Sequence, residues 1–219
     1  GGDYGHLNNH QACRLLEQIE LGPLQHLVAA HLSEKNNAPE RVRERLDAFD
    51  GDSLSGWTVV GGDAEYRVED TDAGPAIVGQ TRPDTPNTFL VFDRPLGDFE
   101  LLCEVKQHPE LNSGIQIRSA IEGGLAERRG RLSGPQVELD PSDRSYSGGI
   151  YGESLDTGWI YPLSDAPYAR RAYRPGEWNR VRILAEGARV RTWINGIPAA
   201  DILDETARRG HTALQVHGV

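Results

Sequence analysis

A mainly-β fold, a two-sheet β-sandwich behind a short α/β segment, follows from four observations. From Phe99 to Lys106 the apolar Phe99, Leu101, Cys103 and Val105 alternate with Glu100, Glu104 and Lys106. From Arg180 to Glu186 the apolar Val181, Ile183 and Ala185 alternate with Arg180, Arg182 and Glu186. Successive side chains of a strand point to opposite faces, so a period of two marks strands with one face buried. Glu186-Gly187 and Asn195-Gly196 stand between strand-like runs, where tight hairpins need residues that tolerate positive φ. The composition also changes near residue 48: residues 1–48 hold four of the 25 Gly, two of the 13 Pro and no Trp, and the chain after Phe49 is rich in all three.

Taken in order, Leu7-Asn8-Asn9 offers an N-cap for a helix whose apolar face is Ala12, Leu15, Leu16 and Ile19. After Gly22-Pro23, the run Leu24 to Leu32 suits a buried strand, and Asn37-Ala38-Pro39 opens a second helix from Glu40 to Asp47. Residues 1–48 thus read helix, strand, helix. Beyond them, further strands are expected at about 88–93, 114–119, 135–140, 148–152 and 212–217, with a long loop from Gly148 towards Tyr173. Many short antiparallel strands with no helix between them argue a sandwich.

The composition narrows function. With 33 acidic against 23 basic residues, the net charge of −10 disfavours nucleic acid, whose phosphates demand clustered Lys and Arg. No apolar run approaches the ~20 residues that span a bilayer. Cys13 and Cys103 are too few for a disulfide framework and read as buried thiols. The sequence has no Met, and Gly1-Gly2-Asp3 opens no signal peptide, so a cut from a longer chain is expected.

Seven motifs then appear in order: Phe49-Asp-Gly-Asp-Ser-Leu-Ser-Gly-Trp57, Gly97-Asp-Phe-Glu-Leu101, Asn112-Ser-Gly-Ile-Gln-Ile-Arg118, Pro135-Gln-Val-Glu-Leu-Asp140, Gly176-Glu-Trp-Asn-Arg-Val-Arg182, Thr192-Trp-Ile-Asn-Gly196 and Leu214-Gln-Val-His-Gly218. Together they resemble the 3-keto-disaccharide hydrolase domain family over residues 49–219. The resemblance implies a concanavalin-like jelly roll, a carbohydrate substrate and a periplasmic or extracellular location. It also implies one more strand after Leu214-Gln-Val-His-Gly218, so a sandwich lacking its last strand is expected. Gly5-His-Leu-Asn-Asn9 and Ala30-His-Leu-Ser-Glu-Lys-Asn-Asn37 resemble the C-terminal end of a metallo-β-lactamase-fold hydrolase. That resemblance makes His31 a metal ligand, but the chain has no His-x-His-x-Asp-His cluster to complete the site. A non-catalytic remnant is the expectation for residues 1–48.

Strand parity selects the candidate site. Gln116 and Arg118 share a face, as do Gln136, Glu138 and Asp140, and as do Gln215 and His217, with Ile115, Ile117, Val137, Leu139, Leu214 and Val216 behind them as core. If the three rows converge they form one sugar pocket; the alternative is an ordinary solvent-facing surface. Tyr151 and Trp159, in the Gly-rich loop, can stack on sugar faces. Asn112, Asp50 and Asp52 read as turn formers, Arg128-Arg129-Gly-Arg131 as a solvated turn, and Trp57 and Trp178 as core.

For a 3-keto sugar, the ketone acidifies the C2 hydrogen, so a base can remove it, the glycosidic oxygen can leave from C1 and water can add back. Glu138 or His217 fits the base, and either fits the acid for the leaving oxygen. Arg118 would hold the enolate oxygen, or a divalent ion on Glu138 and Asp140 would do so; the sequence requires no cofactor. Three other readings stay open: a carbohydrate-binding module without turnover, an interaction module with a flat apolar patch, and a metal-dependent hydrolase fragment built on His31. The oligomeric state is not legible.

Overall fold

Thirteen strands and one helical turn make up the described residues, 48–218, of the computed structural model. The segment expected to read helix, strand, helix, with Cys13 and His31, lies outside them up to residue 47. In chain order the elements are β1 (Trp57–Gly61), β2 (Glu65–Thr71), β3 (Gly74–Gln80), β4 (Thr88–Phe92), β5 (Phe99–Val105), β6 (Ser113–Ile121), β7 (Leu132–Leu139), β8 (Ile150–Glu153) and β9 (Trp159–Tyr161). Then follow α1 (Pro167–Arg170), β10 (Asn179–Glu186), β11 (Arg189–Ile194), β12 (Ile197–Leu203) and β13 (His211–Val216).

Two antiparallel sheets form the sandwich. One has seven strands in the order β1-β4-β13-β6-β7-β8-β9, the other four in the order β12-β11-β10-β5, and β2-β3 is a separate hairpin. The alternation read at 99–106 and 180–186 becomes the β5–β10 pair, with Cys103 opposite Val181 and Leu101 opposite Ile183. Between the sheets lie Ile115, Ile117, Val137 and Ile150 from the larger, against Val181, Ile183, Val190 and Ile194 from the smaller. Each is at most 1% exposed, and full burial of such a side chain contributes about 1.5–3 kcal/mol. Cys103 packs against this core, where burial pushes its thiol up to about 12.

Two expectations change here. The stretch from Gly148 to Tyr173 is not one loop: it contributes β8, β9 and the four-residue α1. Trp57 and Trp178 are half-buried at the surface rather than in the core, because each indole N–H reaches a polar partner, the Ala48 carbonyl at 2.7 Å and Asp72 Oδ1 at 2.9 Å.

The opposite face of the seven-stranded sheet is divided. At one end Val60, Phe89, Val91, Leu132 and Ala213 form a second apolar cluster, flanked by Ile121 and Leu125. At the other end the same face turns polar, with Gln116, Gln136, Glu138 and Gln215.

A bulge breaks the parity on which Arg118 was placed. Gln116 pairs with Gln136 and Ala120 with Ser133, so three residues of β6 face two of β7. Arg118 takes up the excess in the left-handed region, at φ 47°. Its side chain leaves the polar face for the turns of the other sheet. There Nε donates to the Gly97 carbonyl at 2.9 Å, Nη1 to the Gly187 carbonyl at 2.6 Å, and Nη2 to Asp98 Oδ1 at 3.1 Å. Arg118 is therefore a buried brace between the sheets and not a pocket residue.

Candidate functional site

Glu138 sits on β7 at the floor of a cleft of about 500 Å³. Across the sheet its neighbour on β6 is Gly114, and the neighbour of Gly114 on β13 is Gln215. A Cβ on Gly114 would stand 2.4 Å from Gln136 Cδ, so the missing side chain is what lets Gln136 lie over β6. From there Gln136 Nε2 donates to Glu138 Oε2 at 2.9 Å and to Gln215 Oε1 at 3.4 Å, while its own Oε1 accepts from Gln116 Nε2 at 2.8 Å. Ser119 Oγ closes the row on Gln116 Oε1 at 2.6 Å. The second Glu138 oxygen accepts from Asn112 Nδ2 at 2.6 Å.

Burial raises the Glu138 carboxyl above its ordinary value, and Asp140 adds to the rise; the Asn112 and Gln136 amides and the Arg144 charge oppose it. Both oxygens are hydrogen-bonded, and a carboxyl raised by burial in this way is better suited to accept and return a proton than an ordinary surface carboxylate.

Asp140 was expected beside Glu138 in the pocket. It is 2% exposed and its oxygens are taken by the protein: Oδ1 by the Ser142 N–H and hydroxyl at 3.1 and 2.6 Å, and Oδ2 by Arg144 Nε at 2.8 Å. Burial pushes this carboxyl up, but Arg144, Ser142 and the Tyr146 N–H together hold it below the usual carboxylate range. Asp140 thus anchors Arg144, which does line the cleft. Glu138 and Asp140 do not fit a shared divalent ion, because both Asp140 oxygens are already taken by donors of the protein, Oδ2 by a guanidinium. Among the described residues no three His, Cys, Asp or Glu stand together as a metal group.

Of the other expected residues, Gln136, Gln215, Tyr151, Trp159 and His217 line the cleft. His217 lies just past β13, exposed, with Nδ1 2.6 Å from the Gly218 carbonyl. Nδ1 therefore carries the proton, which leaves Nε2 of the neutral ring as an acceptor. The rings of Tyr151 and Trp159 meet edge to face, with centroids 5.4 Å apart.

Sequence reasoning missed Asn112, Arg144 and Arg131. Asn112 reads as a turn former but reaches Glu138 from the segment before β6. Arg144 sits in the irregular β7–β8 connection, where no periodicity assigns a face. Arg131, read as part of a solvated turn, lines the far end of the cleft with Nε on Ser154 Oγ at 2.8 Å.

No curated protein matches the chain. Among solved structures, a candidate glycosyl hydrolase from Parabacteroides distasonis superposes with a TM-score of 0.51 at 20% identity, over 78% of this chain and 86% of that one. The carbohydrate-binding module CBM66 from Bacillus subtilis gives 0.46 at 16% identity, over 74% and 88%. Domain 4 of AbnA, an extracellular arabinanase from Geobacillus stearothermophilus solved with arabinotriose, gives 0.42 at 12% identity, over 74% of each chain. The first of these likenesses bears on the fold, a jelly-roll β-sandwich. Nothing in the comparisons supports a metallo-β-lactamase resemblance for residues 1–48. One family, described as the 3-keto-alpha-glucoside-1,2-lyase-like domain, matches residues 46–219, most of the sequence. The chain belongs to the 3-keto-alpha-glucoside-1,2-lyase-like domain family.

Proposed function

We propose that this domain cleaves 3-keto-glycosides by elimination across C1 and C2, followed by addition of water, with Glu138 as the base. The observation that carries this reading is the Glu138 carboxyl itself: buried on the floor of a polar cleft, raised by burial and held by two amide donors. The C2–H bond breaks and its proton passes to Glu138, and the electron pair moves through C2–C3 onto the ketone oxygen. That pair then returns to restore the ketone, C1=C2 forms, and the C1–O bond breaks as the leaving oxygen takes a proton. The protonated Glu138, or His217 in its imidazolium form, supplies that proton. Water addition at C1 and protonation at C2 complete hydrolysis. A 1,2-lyase description fits the first half of this sequence. Placement outside the cytoplasm rests on the family resemblance alone.

The ring faces of Tyr151 and Trp159 favour a second reading, a module that holds sugar without turning it over. Glu138→Gln keeps the shape and removes the basic oxygen. On the enzyme reading, turnover of a 3-keto-glucoside falls by about 10²–10⁴ while binding persists. Binding without turnover in the unmodified protein supports the module instead.

A further inference from the structure

If Glu138 removes the C2 proton, the species left in the cleft is a 2,3-ene-diolate, with a hydroxyl on C2 and the negative charge on the C3 oxygen. Arg118, bonded to Gly97, Gly187 and Asp98 on the other side of the sheet, is not there to receive that charge. Arg144 is. Its Nε is tied to the buried Asp140, and its guanidinium carbon lies 5.1 Å from the Trp159 ring centre and 5.7 Å from that of Tyr146. Tyr146 and Trp159 brace each other edge to face at 5.0 Å. Fixed at Nε, the guanidinium keeps its Nη N–H groups without a partner among the described residues, and Arg144 lines the same cleft as Glu138. A planar fork held in this way is suited to the two adjacent oxygens of an ene-diolate.

We propose that the cleft is an ene-diolate site, in which Arg144 receives the anionic oxygen and Glu138, carrying the proton it has removed, donates to the neighbouring one. The proposal rests on Glu138 being the base at C2. No oxidant or further reactant enters: the proton moves from C2 to Glu138 and the electron pair from the C2–H bond to the C3 oxygen. The site should therefore accept a stable cyclic ene-diolate of sugar size, and the ascorbate monoanion is such a compound. An anion beside a carboxylate is repelled, so binding at neutral pH must bring a proton onto Glu138. The other charged or titratable groups around this space are Asp140 behind Arg144, Tyr151 on β8, His217 beyond β13, and Arg131, Glu153 and Asp156 at the far end.

Isothermal titration of the whole chain with ascorbate under argon, at pH 7 in phosphate and in Tris, tests this. The expected result is saturable binding with proton uptake, seen as a buffer-dependent enthalpy, and none for the neutral methyl glucoside. Glu138→Gln, which mimics the protonated carboxyl, should bind ascorbate more tightly than the parent, with no proton uptake. Arg144→Gln should bind about 10- to 100-fold more weakly, the loss expected for hydrogen bonds to a charged group. No binding to the unmodified protein, Glu138→Gln binding no more tightly than the parent, or Arg144→Gln binding as well as the parent would each overturn the proposal. Ascorbate binding as described without cleavage of any 3-keto-glucoside would defeat the catalytic reading and leave the ene-diolate site standing. Cleavage with no role for Arg144 would do the reverse.

Discussion

Asn112 Nδ2 lies 2.6 Å from Glu138 Oε1, so a residue just ahead of β6 supports the carboxyl near the end of β7. The bond favours the ionised form, in opposition to burial, which favours the neutral one. Removing it with Asn112→Ala lets burial act with less resistance, and the carboxyl rises further. A hydrogen bond to a charged group contributes about 1.5–3 kcal/mol, or about one to two pH units. The acid limb of the rate profile should move up by that amount. A limb unmoved in Asn112→Ala would mean the titrating base is another group.

Gly114 offers a test that touches no substrate. In Gly114→Ala the new methyl meets Gln136, which is hydrogen-bonded on both sides and must shift. A displacement of this size near a reacting group can cost on the order of 10²-fold in rate, with stability reduced by about 1–3 kcal/mol from overpacking. Rates equal to the parent in a folded Gly114→Ala protein would show that Gln136 does not position Glu138.

Arg118→Met separates bracing from chemistry. It leaves the half-buried Gly97 and Gly187 carbonyls without their donors, a loss of about 0.5–1.5 kcal/mol for each. For a domain of this size that is roughly 2–12 °C in Tm. Turnover below that temperature should stay near the parent value. A large rate loss with an unchanged Tm would restore Arg118 to the site.

These three residues also mark what was legible in the sequence. Period two found β5, β10 and the polar rows of β7 and β13, because a residue's face follows from counting as long as the strand is regular. Arg118 defeats the count: one left-handed residue in a bulge sends its side chain to the wrong sheet, and nothing in Ile115-Gln-Ile-Arg-Ser119 announces it. Asn112 and Arg144 lie where no period applies, and their partners Glu138 and Asp140 are 26 and 4 residues away. The β2–β3 hairpin carries a turn signal in Asp72-Ala73-Gly74, weaker than that of Asn195-Gly196.

The anchor of Arg144 gives a pH prediction for stability. Asp140 is lowered in the fold, so its contribution is present above the ordinary carboxylate range and is lost as pH falls through the lowered value. Asp140→Asn should remove that acid-side loss and reduce stability at neutral pH. Identical acid unfolding curves for the parent and Asp140→Asn would contradict the assignment.

The central claim, that Glu138 takes a proton from C2, is tested most directly by cleaving a 3-keto-glucoside in deuterium oxide and following the C2 position by proton NMR. The account predicts release of the aglycone with deuterium at C2 of the product at the rate of cleavage, no reaction of the parent glucoside, and loss of both signals in Glu138→Gln. Cleavage that leaves the original hydrogen on C2 would contradict it.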